Sequence, residues 1–184
     1  IAGALARLGS ATTLVSGPSH QPDPPGVAVV RVESAVEMLA ACEKALPVDV
    51  AVLAAAVSDW RAESVAGEKI KKTGRNKVPG LKLVENPDIL ANLSGAGNKR
   101  PRLVVGFAAE TENVIANATK KRADKGCDWI VANNVSPATG TFSGDDNTVH
   151  LITEKGAEDW PSMSKAAVAG RLAGRVAETL AAET

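Results

Sequence analysis

The sequence predicts an α/β fold, a three-layer Rossmann-like domain on a mostly parallel sheet, and three observations carry that expectation. Short apolar runs alternate with segments of helical period along the whole chain, the rhythm of strand, helix and strand. One run, Val48 to Ala56, is apolar at almost every position, the pattern of a parallel strand covered on both faces. Aromatic residues are scarce: Trp60, Phe107, Trp129, Phe142 and Trp160 are all there are, with no tyrosine, while 45% of the 184 residues are apolar. The core is therefore aliphatic, which suits helices lying close on a sheet better than an all-β sandwich.

Taken in order, Ile1, Leu5 and Leu8 share one helical face, and Gly9 ends that helix. A helix in such a fold packs on the strand that feeds it, so a first strand and the loop after it are expected ahead of Ile1, and the chain is read as truncated there. Thr12 to Val15 reads as a buried strand running into Ser16-Gly17-Pro18, with a surface loop rich in Pro and Asp to Gly26. Val27 to Val32 is the next strand. Ser34 caps a helix to about Leu46 with Val36, Leu39 and Ala40 on its inner face, and Pro47 stops it. Beyond the Val48 to Ala56 strand, residues 61 to 80 show no apolar period. Lys69, Lys71, Lys72, Arg75 and Lys77 mark a basic, mobile loop there. Leu81 to Val84 is a short strand, Asn86-Pro87-Asp88 opens a helix containing Ile89, Leu90 and Leu93, and Gly95 to Gly97 closes it. Leu103 to Phe107 is a strand, Thr111 caps a helix to about Lys125, Trp129 to Ala132 is a strand, and Val149 to Ile152 is an edge strand. Val168, Leu172, Val176 and Leu180 recur every four residues, a stripe that packs a C-terminal helix on the sheet.

A chain of this length fits one domain, 1–184, which buries roughly 70% of its unfolded surface. Twenty-one basic residues balance twenty-one acidic ones, with an isoelectric point near 6.9. That balance removes the broad positive footprint of a nucleic-acid or polybasic membrane binder. Cys42 and Cys127 stand far apart and His20 and His150 are the only imidazoles, so no zinc site is expected. No run reaches the roughly 18 apolar residues that span a bilayer, and the amino end lacks signal character. A cytoplasmic protein is expected, with neither membrane nor nucleic acid as partner.

A dinucleotide fingerprint is rejected, because Gly95-Ala96-Gly97 lacks a third glycine and follows a helix. Walker A and GxSxG motifs are absent, so covalent catalysis has no support. The stronger constellation joins three strand ends: Ala54 to Trp60, Asn86 to Leu90, and Val105 to Thr111. In a parallel sheet such ends meet at one crevice. There backbone groups read a flat base, Phe107 stacks on it and a carboxylate holds ribose hydroxyls. Lys121 and Lys125, at i and i+4, face one polyphosphate. Plainer readings stand beside each: Asp59 capping a turn, Phe107 in the core, the lysines on a solvated surface.

The segments Val15-Ser16-Gly17-Pro18, Ala54 to Arg61, Glu68 to Lys72, Asn86 to Ile89, Val105 to Thr111, Ala132 to Ser136 and Phe142 to Asn147, in this order, resemble the phosphopantothenoylcysteine synthetase family. That family is the CTP-dependent ligase half of the bacterial coenzyme A biosynthesis flavoprotein. The resemblance implies ligation of 4'-phosphopantothenate to L-cysteine through an acyl-cytidylate, with CTP as co-substrate and Mg2+ or Mn2+ as metal. At the matching positions it implies cytosine read by the backbone at Leu53, Ala54 and Ala55 and by Pro87, Asp88, Ile89 and Leu90, with Phe107 beside the nucleotide. Asp59 would hold ribose or support the metal, Lys69 would be catalytic, and Lys121 and Lys125 would bind phosphates. Asn133, Phe142 and Asn147 would touch the second substrate in a pocket shared across a homodimer. Family members carry, ahead of the first helix, a strand and an Asn- and Ser-Ser-Gly-containing loop, preceded by a decarboxylase domain to which FMN belongs. The alternative is a non-catalytic nucleotide-binding module on the same fold.

Overall fold

A computed structural model describes residues 1–64, 67–68, 80–136 and 146–182. In chain order the elements are α1 (Ala2–Arg7), β1 (Thr12–Ser16), β2 (Val27–Arg31), α2 (Ala35–Ala45), β3 (Val50–Leu53), β4 (Trp60–Ala62), β5 (Leu83–Glu85), α3 (Ile89–Ser94), β6 (Leu103–Glu110), α4 (Val114–Lys125) and β7 (Trp129–Asn134). There follow β8 (Asp146–Asn147), β9 (Val149–Thr153), β10 (Gly156–Asp159), β11 (Met163–Ser164) and α5 (Lys165–Ala182).

The main sheet runs β10-β9-β7-β6-β3, with β3, β6 and β7 parallel and β9 and β10 antiparallel at one side. Alternation along β6 divides the core into two layers. Leu103 and Val105 face the α5 stripe of Val168, Leu172 and Val176, together with Val131, Leu151 and Trp160. Val104 and Ala108 face Leu90 of α3 and Ala118 of α4, together with Ile130 and Ile152. Helices thus cover both faces, as the sequence predicts. Gly106 allows the closest approach: a Cβ there would lie 2.6 Å from a Leu90 methyl and 2.8 Å from one of Ile130. Trp160 is buried because its indole N–H reaches Glu158 at 3.0 Å and Arg171 lies 4.6 Å above its ring.

Several expectations change. β3 covers only Val50–Leu53, all half-buried rather than enclosed, because the main sheet ends there. β1 is likewise half-buried; it pairs with β2 in a separate two-stranded parallel sheet. The capping box of α2 forms as expected, Ser34 accepting from the Glu37 amide and Glu37 from the Ser34 amide. Its inner face differs: Val36 is exposed, while Ala35, Met38 and Cys42 turn to the cleft beside β1. Thr111 does not cap α4; Asn113 stands at the N-cap with φ 48°, and Gly126 at φ 65° ends the helix. β9 is not an edge, since β10 pairs outside it. β4, inside the stretch read as loop, pairs with β5. The basic segment from Lys69 to Lys77 lies outside the described residues.

Candidate functional site

The crevice sits beyond the carboxyl ends of β3 and β6, where an open parallel sheet leaves room between the departing chains. Two of those chains are sewn together. The Asn86 amide donates to the Asp59 carbonyl at 2.8 Å, and the Asn86 side chain donates to the Ser58 carbonyl at 2.8 Å. Arg61 donates to the Glu85 carbonyl. The β4–β5 pairing, Trp60 opposite Glu85, sets this register. Pro87 then hands the chain to α3, and Asp88 caps that helix by accepting from the Ala91 amide at 2.9 Å.

The two predicted phosphate lysines come from α4 and meet different partners. Lys125 Nζ lies 2.5 Å from Asp88 Oδ2, tying α4 to the start of α3. Lys121 Nζ donates to the Phe107 carbonyl at 2.9 Å, holding α4 against the end of β6. Each ammonium keeps two further donors. Partial burial pushes the Asp88 carboxyl up, but the Ala91 amide and the nearby lysines outweigh it and hold it below the ordinary carboxylate range. The hydrogen bond to Asp88 in turn raises Lys125, against partial burial and with help from the charges of Asp88, Asp124 and Asp59. Both groups are charged throughout the physiological range.

Eleven of the residues predicted from sequence line one cleft of about 2160 Å³. Leu53, Ala54, Ala55 and Asp59 come from the end of β3, Pro87, Asp88, Ile89 and Leu90 from the start of α3, and Phe107, Lys121 and Lys125 from β6 and α4. The side chains of Ile89 and Leu90 are buried, so what they offer a ligand is backbone. Phe107 is half-buried and packs partly on the α5 side of the core. Asn133 stands apart from the cleft lining, its amide 3.5 Å from the Asn147 side chain. Lys69 and Phe142 lie outside the described residues. Sequence reasoning placed Asn86 in a motif without giving it a task; the structure makes it the stitch between two site loops. An Asn directly before a Pro, where the backbone is held extended, was the available signal.

Among the described residues, no group of three His, Cys, Asp or Glu is placed to hold a metal, and no helix is long and apolar enough to cross a membrane. Asp88 is committed to Lys125 and Ala91. Asp59 lines the cleft, as do Glu110 and Asp124.

A helix-covered, mostly parallel sheet with a crevice at its strand ends defines an α/β protein of the Rossmann-like class. The chain belongs to the DNA/pantothenate metabolism flavoprotein C-terminal domain family, whose sequence model matches residues 1–180. It is 46% identical over 158 residues to the coenzyme A biosynthesis bifunctional protein CoaBC of Escherichia coli K12, covering 85% of this chain and 39% of that protein. Against CoaBC of Vibrio cholerae it is 42% identical over 170 residues, covering 92% of this chain and 42% of the other. The chain thus spans about two-fifths of the relatives it matches. The crystal structure of a CoaBC C-terminal domain superposes with a TM-score of 0.76 at 32% identity, covering 97% of this chain and 79% of that one.

Proposed function

We propose that this chain carries the ligase chemistry of coenzyme A biosynthesis: CTP-dependent joining of 4'-phosphopantothenate to L-cysteine. The observation that supports this best is the convergence of Leu53 to Ala55, Asp59, Pro87 to Leu90, Phe107, Lys121 and Lys125 on one cleft. In this reading cytosine lies against the backbone of the first and third segments, with Phe107 beside it, and the triphosphate runs toward α4. The substrate carboxylate attacks the α-phosphorus, the bond to the β-phosphate oxygen breaks, and pyrophosphate leaves. The cysteine amine then attacks the acyl carbonyl of the acyl-cytidylate; CMP departs and the amine loses a proton.

Neither step asks for a protein nucleophile. Both ask for alignment and for charge placed where negative charge develops. Lys121 and Lys125 supply that charge to the phosphates from positions already fixed by Phe107 and Asp88. Mg2+, which commonly takes one or two carboxylates plus substrate phosphates, suits Asp59 together with the triphosphate and would neutralise phosphate charge there. Lys69 is proposed as the residue closing on the α-phosphate. Lys69→Gln is expected to lower turnover about 10²- to 10³-fold in a folded protein, and near-normal turnover would remove Lys69 from the mechanism. The exposed Trp60, Leu81 and Leu83 on the β4–β5 arm suit the homodimer contact proposed for the family, which sedimentation at micromolar concentration tests.

The deciding experiment is pyrophosphate release from CTP and Mg2+ with 4'-phosphopantothenate, with and without cysteine. Release that requires the acid, with CMP formed faster when cysteine is present, is the expected result. CTP binding without pyrophosphate would leave a nucleotide-binding module in place of a ligase.

A further inference from the structure

Asn86 is the last rung of the β4–β5 ladder. Bonded pairs in an antiparallel ladder fall at every second residue. At one end the Glu63 amide donates to the Lys82 carbonyl at 2.9 Å, and at the other the Asn86 amide donates to the Asp59 carbonyl at 2.8 Å. The next bonded pair in this register, Val57 with Asp88, does not form among the described residues. There the Asn86 side chain takes over. Its Nδ2 donates to the Ser58 carbonyl at 2.8 Å, and its Oδ1 accepts from Arg61 at 3.4 Å. These contacts also decide which way round the amide sits, nitrogen to Ser58 and oxygen to Arg61.

Beyond that rung the two chains part around the crevice. Back from Ser58 the chain runs through Val57 to Ala54 and into β3; on from Asn86 it runs through Pro87 to Leu90 and into α3. Both stretches line the cleft. Asn86 precedes a proline, so its own backbone is held extended and offers little slack. The side-chain bond to Ser58 therefore sets where the stretches separate, and with it the distance between them.

That distance matters because these stretches have little else with which to recognise a base. Ala54, Ala55, Ala56, Val57 and Pro87 carry no polar side-chain atom, and the side chains of Ile89 and Leu90 are buried. Asp88 is the exception, and its carboxylate is engaged by the Ala91 amide and Lys125. Main-chain groups are chemically alike from residue to residue, so a site built from them selects by spacing. A purine is one ring wider than a pyrimidine. The gap between two main-chain stretches decides which of them meets both at hydrogen-bonding distance.

We infer that Asn86 is a positioning residue that determines base selectivity, its side chain holding the Ala54–Val57 and Pro87–Leu90 stretches at the spacing of a pyrimidine. The inference rests on the reading of this crevice as the CTP site. Asn86 acts through the main chains it joins and touches no nucleotide itself. Loosening it widens the gap, which costs CTP its contacts and costs the larger base of ATP nothing.

Calorimetric titration of this chain with CTP and with ATP, each with Mg2+, tests the inference. The two nucleotides carry the same ribose and triphosphate, so the ratio of their affinities cancels what Asp59, Lys121 and Lys125 contribute. The parent is expected to favour CTP. In Asn86→Ala, CTP affinity is expected to fall about 10-fold, the worth of one hydrogen bond, with ATP affinity held within about 2-fold. Asn86→Asp keeps the shape and the acceptor for Arg61 but sets an oxygen against the Ser58 carbonyl, and the same loss of preference is expected. Glu63→Gln, which weakens the Lys82 ion pair at the far end of the ladder, should leave the ratio unchanged. An equal loss of both nucleotides in the folded Asn86 variants overturns the inference and makes Asn86 a structural residue only. Unfolding of both variants does the same, as does an equally lowered ratio in Glu63→Gln. A parent that binds both nucleotides equally overturns the selectivity role and leaves the crevice a nucleotide site; a parent that binds neither overturns the CTP reading, and the inference with it.

Discussion

Strands β3 and β6 lie side by side in parallel register, Val52 opposite Val105, yet they live in different surroundings. Val104 and Val105 have no exposed surface at all, while every residue of β3 is half-exposed. Both strands are apolar runs of valine, leucine and alanine. The difference is in their neighbours: β6 has a strand on each side and a helix on each face, whereas among the described residues β3 pairs with β6 alone. Apolar pattern reports what a segment is able to bury, and the count of partners decides what it does bury.

The largest effect should come from the closed half. Leu172, fully buried among Val105, Val131 and Trp160, is expected to cost about 2–5 kcal/mol on change to Ala, read as a lower urea midpoint at unchanged slope. Leu14→Ala, in the half-buried β1, removes the same atoms and is expected to cost clearly less. Equal losses at the two positions would break the contrast.

Next in size is Gly106→Ala, where the closed half meets the site. The new methyl would press Leu90 and Ile130, with a cost of about 1–3 kcal/mol. Because Leu90 lies in the first turn of α3, nucleotide affinity should fall along with the melting temperature. Lost stability with unchanged affinity would show that α3 yields without disturbing the crevice. For Phe107→Ala, loss of one stacking face is expected to weaken CTP binding by about 1–3 kcal/mol, measured by calorimetry. An unchanged dissociation constant would assign Phe107 to the core alone.

The smallest effect belongs to the Asp88–Lys125 bond, whose partners are more than a third exposed and which solvent screens to about 1 kcal/mol or less. Asp88 titrates below its unfolded value, so its share is complete above about pH 4 and is lost as pH falls through the depressed pKa. Lys125 titrates above its unfolded value, so its share holds to about pH 10 and fades as pH rises beyond. Asp88→Asn should therefore shrink the loss of stability between neutral pH and the acid limb. An acid limb identical to the parent's would mean the carboxyl is not coupled to folding.

Part of the site was legible in the sequence because Ala54 to Asp59 and Asn86 to Leu90 each follow a short apolar run; the expectation of three parallel strand ends is corrected, since Phe107 lies within β6 and Asn86 follows β5, which pairs antiparallel with β4 in a separate sheet. Lys121 and Lys125 were legible because four residues make one helical turn. Their partners were not. That Lys125 meets Asp88 and Lys121 meets the Phe107 carbonyl depends on how α4 leans across β6, a separation of 37 and 14 residues that no local pattern encodes. β10 escaped notice because Gly156–Asp159 has no apolar alternation, and β4 because three residues are too short for a period.

Most segment types, the Ser34 cap of α2 and the α5 stripe were determined by the sequence alone, since each rests on residues within one or two turns of one another. Strand order, the split between two sheets, the true inner face of α2 and the exposure of β1 and β3 were decided only by the tertiary structure. Those properties belong to pairs of distant segments, and a backbone edge is satisfied or left open according to what lies beside it, whatever its own side chains favour.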